Sequence, residues 1–228
     1  MGQIFEAQYI FYALPRLLPY VPVTLLLLSA CVLASILLGV VFALARIYPL
    51  PIITRMTAML VSFTLGIPLL TLLFLFYFGL PEIMLLVNVD LTRTSGVYFV
   101  VLAFGLHYGA VLSEHIRGAV SSVGRGQFEA AFSIGLPFLT SLRRIVMPQA
   151  MRVLMPNVAN TYLKAMKSTS IAFSAGVVDL MSQAVVIGST TGHTFESYVA
   201  VAIIYYVMYT ILSAMFNRIE RHSLRYGI

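Results

Sequence analysis

The sequence predicts an all-α membrane protein with five transmembrane helices in one domain, residues 1–228. Three observations lead there. The 228 residues are 60% hydrophobic and 10% charged, with a mean hydropathy of +0.96, where a soluble domain carries about 25% charged residues. A surface this apolar cannot be hidden from water, so the bilayer is its solvent. The apolar residues also gather into runs near the ~20 residues needed to cross a hydrocarbon core. Finally, the basic residues collect in alternate connections between those runs.

The first run covers about 21–45, with Pro22 near the first helical position, where its missing N–H costs nothing. The second, about 56–80, contains Pro68 and is expected to kink there. The third, about 95–116, carries Gly105 and Gly109, a G-x-x-x-G pair that suits close helix packing. The fourth, about 150–178, is only moderately apolar and is interrupted by Lys164 and Lys167. A span lining a water-filled path is allowed such charges. The fifth covers about 196–218.

The charges set sidedness. One side holds Arg46, Arg55, Arg117, Arg125, Arg143, Arg144, Arg152, Arg218, Arg221 and Arg225, ten of the 14 Lys and Arg residues. The other keeps Arg16 and Arg93, and gathers Glu6, Glu82, Asp90, Asp179 and Glu196. Ten against two is a positive-inside pattern. The N-terminus is therefore expected outside and the C-terminus in the cytoplasm. The net charge of +6 is read as topology, not as nucleic-acid binding. The leading MGQIFEAQYIFYALPR lacks a positive n-region and a cleavage site, so no signal peptide is expected. The single cysteine, Cys31, sits in a leucine-rich run and is read as a small core hydrophobe. No repeat, low-complexity segment or linker marks a second domain.

Between the third and fourth runs lies EAAFSIGLPFLTSLRRIVMP, Glu129 to Pro148. Residues 127–134 favour a short helix, and Gly135 is a natural stop because it tolerates the left-handed conformation. Pro137 suits the start of a second short helix carrying Arg143 and Arg144, and Pro148 is expected to end the unit. Two short helices cannot bury their apolar sides alone. Physics leaves two placements open: docking on another polypeptide, or lying in the lipid headgroup layer with arginines on phosphates.

The spacing is more specific. Glu129-Ala130-Ala131, three residues, Gly135, nine residues, Ile145, one residue, Met147 and Pro148 resemble the EAA signature of binding-protein-dependent ABC importer permeases. Only Met147 departs, where leucine is usual. The flanks, SEHIRGAVSSVGRGQFEAAFSIG and MPQAMRVLMPNVANTYLKAMKSTSIAFSAGVVDL, and FYFGLP after the second run, are similar to the polar amino-acid uptake branch of these MetI-like permeases.

The resemblance implies a type I ABC importer permease fold with cytoplasmic EAA coupling helices, about 127–146, in the bacterial inner membrane. It implies as partners an ATP-binding subunit dimer, a second permease copy or paralogue, an extracytoplasmic solute-binding protein and membrane lipid. On this reading Glu129 caps or pairs within the unit and Ala130 and Ala131 complete the triplet. Gly135 permits the turn, and Arg143 and Arg144 face acidic residues on the ATPase. ATP and Mg belong to that partner. This chain has no G-x-x-x-x-G-K-[ST], so it is expected to bind no cofactor and to be no enzyme.

Polar groups at membrane depth are the candidates for a substrate path. Lys167 with Ser168, Thr169 and Ser170 suits a substrate carboxylate. His107 and Glu114 lie seven apart on one face of the third run. Glu114 also sits three residues before Arg117, which suits a local ion pair, and His107 also reads as a packed, satisfied histidine. Lys164 either snorkels or pairs with Glu114. Asp179 is expected on the outer surface, and His193 alone in a polar outer loop.

The chain departs from the branch pattern F-R-G-T-P-L, which here is Thr64-Leu65-Gly66-Ile67-Pro68-Leu69, and His107 and Val111 stand where an asparagine and a tyrosine are usual. Two other function classes find little support. A self-sufficient secondary transporter wants inverted repeats, and an intramembrane enzyme wants a catalytic dyad; neither is found. No metal site is expected.

Overall fold

A computed structural model describes residues 5–47 and 50–226 of the chain. The side chains of Arg125 and of residues 222–226 lie outside the described set, so nothing further is said of Arg125 or Arg225 as side chains. Every regular element among the described residues is helical.

Helix α1 (Gln8–Leu17) runs through a 3₁₀ turn, Leu18–Tyr20, into α2 (Val21–Ile47). Together they form one helix of 40 residues, Gln8–Ile47. The helix begins well before the expected 21, because α1 has its own buried stripe: Ala13 and Leu17 join the main core, and α1 packs against α10 and α11. Helix α3 (Pro51–Gly66) ends at Ile67, which is extended (φ −108°, ψ 136°). A residue before proline is driven out of the helical region. Helix α4 (Leu69–Phe74) follows, then a π turn, Leu75–Gly79, and α5 (Leu80–Leu85). The expected kink at Pro68 is a full break, with 110° between Pro51–Gly66 and Leu69–Leu85.

Helix α6 (Gly96–Ser122) is uninterrupted. Short helices α7 (Arg125–Ser133) and α8 (Phe138–Ser141) come next. A second π turn, Leu142–Val146, carries α8 into α9 (Met147–Ser168) and a 3₁₀ segment, Thr169–Ala175. After a turn at Gly176 come α10 (Leu180–Thr191), which the sequence reading missed, and α11 (Thr194–Tyr226). Among the described residues, three helices, Gln8–Ile47, Gly96–Ser122 and Thr194–Arg221, are long and apolar enough to cross a membrane. Counting each bent pair as one span, Pro51–Gly66 with Leu69–Leu85 and Phe138–Ala175 with Leu180–Thr191 (55°), gives up to five.

Pro148 does not end the elbow unit. It sits in the first turn of α9, inside one continuous helical run. The π turn is the physical reason: Met147 N–H reaches Leu142 O five residues back, and the wider turn makes room for a ring that would clash with the carbonyl of residue 144. The same arrangement occurs at Pro81, where Leu80 N–H reaches Leu75 O across the first π turn.

The core runs along α2 and α6, the most extensively paired helices. A Cβ added at Gly105 would lie 2.8 Å from Ala34 Cβ, and one at Gly109 2.9 Å from Leu38 Cβ. The G-x-x-x-G face is therefore a true close approach. Cys31, Val100, Phe104, Met166 and Leu180 fill the centre, all fully buried. Large apolar side chains such as Leu26, Phe63 and Tyr206 stand on the outside, which suits a hydrocarbon solvent.

Candidate functional site

Two groups of candidate residues occupy different places: an elbow built by α7 and α8, and a polar face built by α6, α9 and α11.

In the elbow, Gly135 has φ +79°, and Gly135 N–H and Leu136 N–H donate to Phe132 O (2.9 Å) and Ala131 O (3.1 Å). This paired arrangement closes the C-terminus of α7 and requires a left-handed residue. Phe128 stacks on Phe138, with centroids 5.8 Å apart at 7°, and locks the two helices together. Gln149 donates to Gln127 at 3.3 Å. The underside is anchored: Leu142 and Val146 pack on Ala119, Val120 and Val123 at the end of α6. The outer side is bare, with Phe132, Ile134 and Leu139 exposed by 48%, 74% and 65%. Arg143 and Arg144 are exposed beside them. Ala131 is buried, while Glu129 and Ala130 are exposed. Among the described side chains the Glu129 carboxylate has no partner; only its backbone oxygen is used, by Ser133 (2.8 Å).

On the polar face, the Lys167 ammonium lies 4.2 Å from the centre of the Tyr209 ring, a cation–π contact. Lys167 and Ser170 line an open cavity of about 590 Å³ with Tyr198, Tyr205, Tyr206 and Tyr209. The three hydroxyls are partly committed. Ser168 Oγ and Tyr108 Oη share a hydrogen bond at 2.8 Å. Thr169 is fully buried, donates to Met166 O at 2.7 Å and meets Tyr205 Oη at 3.2 Å. Ser170 donates to Lys167 O at 2.8 Å. The site thus unites Lys167 and Ser170, while Ser168 and Thr169 tie α9 to α6 and α11.

Glu114 stands apart. It accepts two hydrogen bonds from Arg117, at 2.7 and 3.1 Å, and pairs with Arg46 at the end of α2. Glu114 therefore does not pair with Lys164, since two guanidiniums already occupy it. His107 faces the break after α3: its ring meets the Thr64 carbonyl, which cannot receive an amide from Pro68 four residues on. Its Nδ1 is buried without a partner, so it is only half satisfied.

Two further expectations are corrected. Asp179 is fully buried, not on the surface, because it caps α10: its Oδ1 accepts Ser182 N–H at 2.9 Å. His193 is neither alone nor in open loop. Its Nδ1 lies 3.1 Å from Glu196 Oε1, and the Tyr9 ring stacks on it at 3.5 Å, because α1 folds over the start of α11. In the loop before α6, the Thr92 hydroxyl and amide hold the Asp90 carboxyl below its usual range, a turn feature. Among the described residues, no group of three or more His, Cys, Asp or Glu is arranged to hold a metal ion.

Residues 35–225 match the family described as "Binding-protein-dependent transport system inner membrane component". The chain belongs to this family. As an inner membrane component it has relatives of nearly equal length. It is 35% identical over 221 residues to the L-cystine transport system permease protein TcyL of Bacillus subtilis (strain 168), covering 97% of this chain and 92% of that one. It is 35% identical over 210 residues to the probable amino-acid ABC transporter permease protein PatM of Vibrio harveyi, covering 92% of each. Among solved structures, one titled "Crystal structure of an amino acid ABC transporter with histidines" superposes with a TM-score of 0.86 at 27% identity, covering 96% of this chain and 100% of that one. An inward-facing MetNI methionine ABC transporter shares the fold, with a TM-score of 0.72 at 16% identity over 90% of this chain and 95% of that one.

Sequence reasoning missed Arg46, Tyr108, Tyr205 and Tyr209. A signal for Arg46 existed, since a lone arginine ending an apolar run needs a counter-charge. The tyrosines gave none, because a phenol in a membrane helix looks the same whether it packs or partners a cation.

Proposed function

We propose that this inner membrane component is the permease subunit of an ATP-driven importer for polar amino acids or their analogues. It spans the bacterial inner membrane as a single five-helix domain, with its N-terminus outside and its C-terminus in the cytoplasm. The relatives named above and the arginine asymmetry along the sequence support this.

The observation that carries the reading is the elbow. It is anchored on one side and bare on the other, with exposed apolar and arginine side chains on two short helices locked at a fixed angle. We take α7 and α8 as coupling helices, with Glu129, Ala130, Ala131, Gly135, Arg143 and Arg144 seated on an ATP-binding subunit. That subunit acts as a dimer and holds the ATP and Mg. A second permease copy or paralogue completes the path, an extracytoplasmic solute-binding protein delivers the substrate, and lipid covers the remaining apolar face. No nucleic acid is involved. Closure of the ATPases draws the paired elbows together, and packed helices rearrange as rigid bodies.

Along the path, Lys167 with Ser170 meets the substrate carboxylate, Ser168 and Thr169 position α9, His107 lines the break beside α3, and Glu114 anchors α2 to α6. A self-sufficient secondary transporter is not favoured, because the relatives named above are permease proteins of a transport system and of an ABC transporter.

The test is reconstitution in liposomes with and without an ATP-binding subunit and a solute-binding protein from the same organism. Uptake of labelled amino acid only with both partners and ATP is expected. Uptake by the chain alone, or labelling from outside the cell of a cysteine introduced as Ser133→Cys in the elbow, overturns the reading.

A further inference from the structure

We infer that α6 and α9 form a second substrate station, one turn nearer the elbow than Lys167, where Lys164 takes the carboxylate of a zwitterion and His115 takes its ammonium. This rests on the importer reading above and deepens it, by giving the path a second stop and the ammonium a partner.

Helix α9 has two unlike faces. Met151, Leu154 and Val158 line an apolar cavity of about 320 Å³ shared with α2 and α6. Asn157, Asn160, Lys164 and Lys167 recur at spacings of three and four, which gathers them on another face, with buried Thr161 at the border towards α6. A polar stripe on a helix at membrane depth is expensive unless it faces water or a charged guest. Lys164 and Lys167 are both exposed, and neither has a carboxylate partner among the described residues. The nearby acid, Glu114, is held by Arg46 and Arg117. The counter-ion that Lys164 lacks is supplied by what passes through.

His115 provides the complement. It is half-buried on α6, with Nδ1 3.3 Å from Thr161 Oγ1, which lies three residues, about one turn, before Lys164 on α9. The Thr161 hydroxyl already donates to Asn157 O at 2.8 Å, so its oxygen accepts from Nδ1–H. In that neutral tautomer Nε2 carries a lone pair, which fits an ammonium proton and not a carboxylate. Lysine and imidazole acceptor thus match the two ends of an amino acid. Lys164 and Lys167 are about 4.5 Å apart along the axis, so a carboxylate leaving one is within reach of the next.

The experiment uses the complete complex in liposomes, with binding protein, internal ATP, and labelled L-cystine, L-glutamine and L-arginine offered in turn. Lys164→Gln and His115→Gln are expected to lower maximal uptake about tenfold or more, the worth of one charge-assisted hydrogen bond in rate. The half-saturating concentration and ATP hydrolysis stay at wild-type values, and Lys164→Arg restores uptake. A merely structural role would lower assembly and hydrolysis together. Wild-type uptake with both variants unchanged, while Lys167→Ala is impaired, overturns the station alone. Absence of ATP-driven uptake of all three probes by the wild type overturns the importer reading and the station with it. If Lys164→Gln fails to assemble, His115→Gln with Lys164→Arg gives the same two outcomes.

Discussion

Helices α2 and α6 and the elbow of α7 and α8 solve opposite problems. The first two are each 27 residues long and regular, and they touch backbone to backbone where Gly39 meets Gly109 and Gly105 meets Ala34. Ser35 adds a buried hydroxyl that reaches both Cys31 O and Phe104 O. The elbow has 9 and 4 residues in its helices, one aromatic stack, and one left-handed glycine. Small residues weld the long pair into a spine; glycine, proline and π turns make the remainder jointed. Pro81 and Pro148 each follow a π turn that carries the helix past them without a break, and π turns are frequent where a helix must do something other than pack. A structure that transmits a pull needs both: a part that keeps its shape and a part that can be gripped.

The contrast is broken most severely by attacking the spine. Gly109→Leu places a Cβ 2.9 Å from Leu38 Cβ and 3.3 Å from the backbone of Ser35 and Gly39. Overpacking of this kind costs about 3 kcal/mol, at the upper end of core insertions. The purified chain is expected to lose its cooperative melt and to aggregate. A folded Gly109→Leu protein with an unchanged melting temperature would show that the two helices are not tightly joined.

Gly135→Val attacks the elbow instead. No atom lies within 4 Å of its would-be Cβ, so the cost is conformational alone: about 2 kcal/mol for a β-branched residue held at φ +79°. Because the strain sits outside the spine, the membrane-embedded helices are expected to stay intact while binding of the ATP-binding subunit drops, as read by co-purification. Gly135→Asn, which tolerates the left-handed region, should retain most of it. Equal loss in both variants would indicate that the position is read by its partner and not by its backbone.

How much of this was legible in the sequence follows the same division. The spine was readable, because G-x-x-x-G reports directly on close approach, and Gly135 was readable because a left-handed turn has one preferred residue. The joints were only half readable. Pro68 announces a disturbance but not a 110° break, and Pro148 reads as a stop because sequence carries no sign of a π turn that absorbs a proline. Helix α10 was missed because residues 180–191 are short for a span and follow a stretch already counted as one. Among candidate residues, Lys167 stood out as a charge in an apolar run. Its tyrosine partners and the arginines around Glu114 come from other helices, and no local pattern pairs residues 68 apart in the chain, as Arg46 and Glu114 are.

The mildest test asks whether spine and joints are linked. Tyr108, on α6 and 6% exposed, shares a hydrogen bond with Ser168 at the point where α9 tightens into its 3₁₀ segment. Tyr108→Phe keeps the ring and removes that bond, so a loss of about 0.6 kcal/mol is expected, the mean for interhelical hydrogen bonds in membranes. The change should appear as a small drop in thermal stability with ATPase binding unchanged. If ATPase binding falls as far as in Gly135→Val, the end of α9 is held in register by the spine and transmits to the elbow through its continuous run from Phe138. Spine and elbow would then be one lever, and not two parts that merely share a chain.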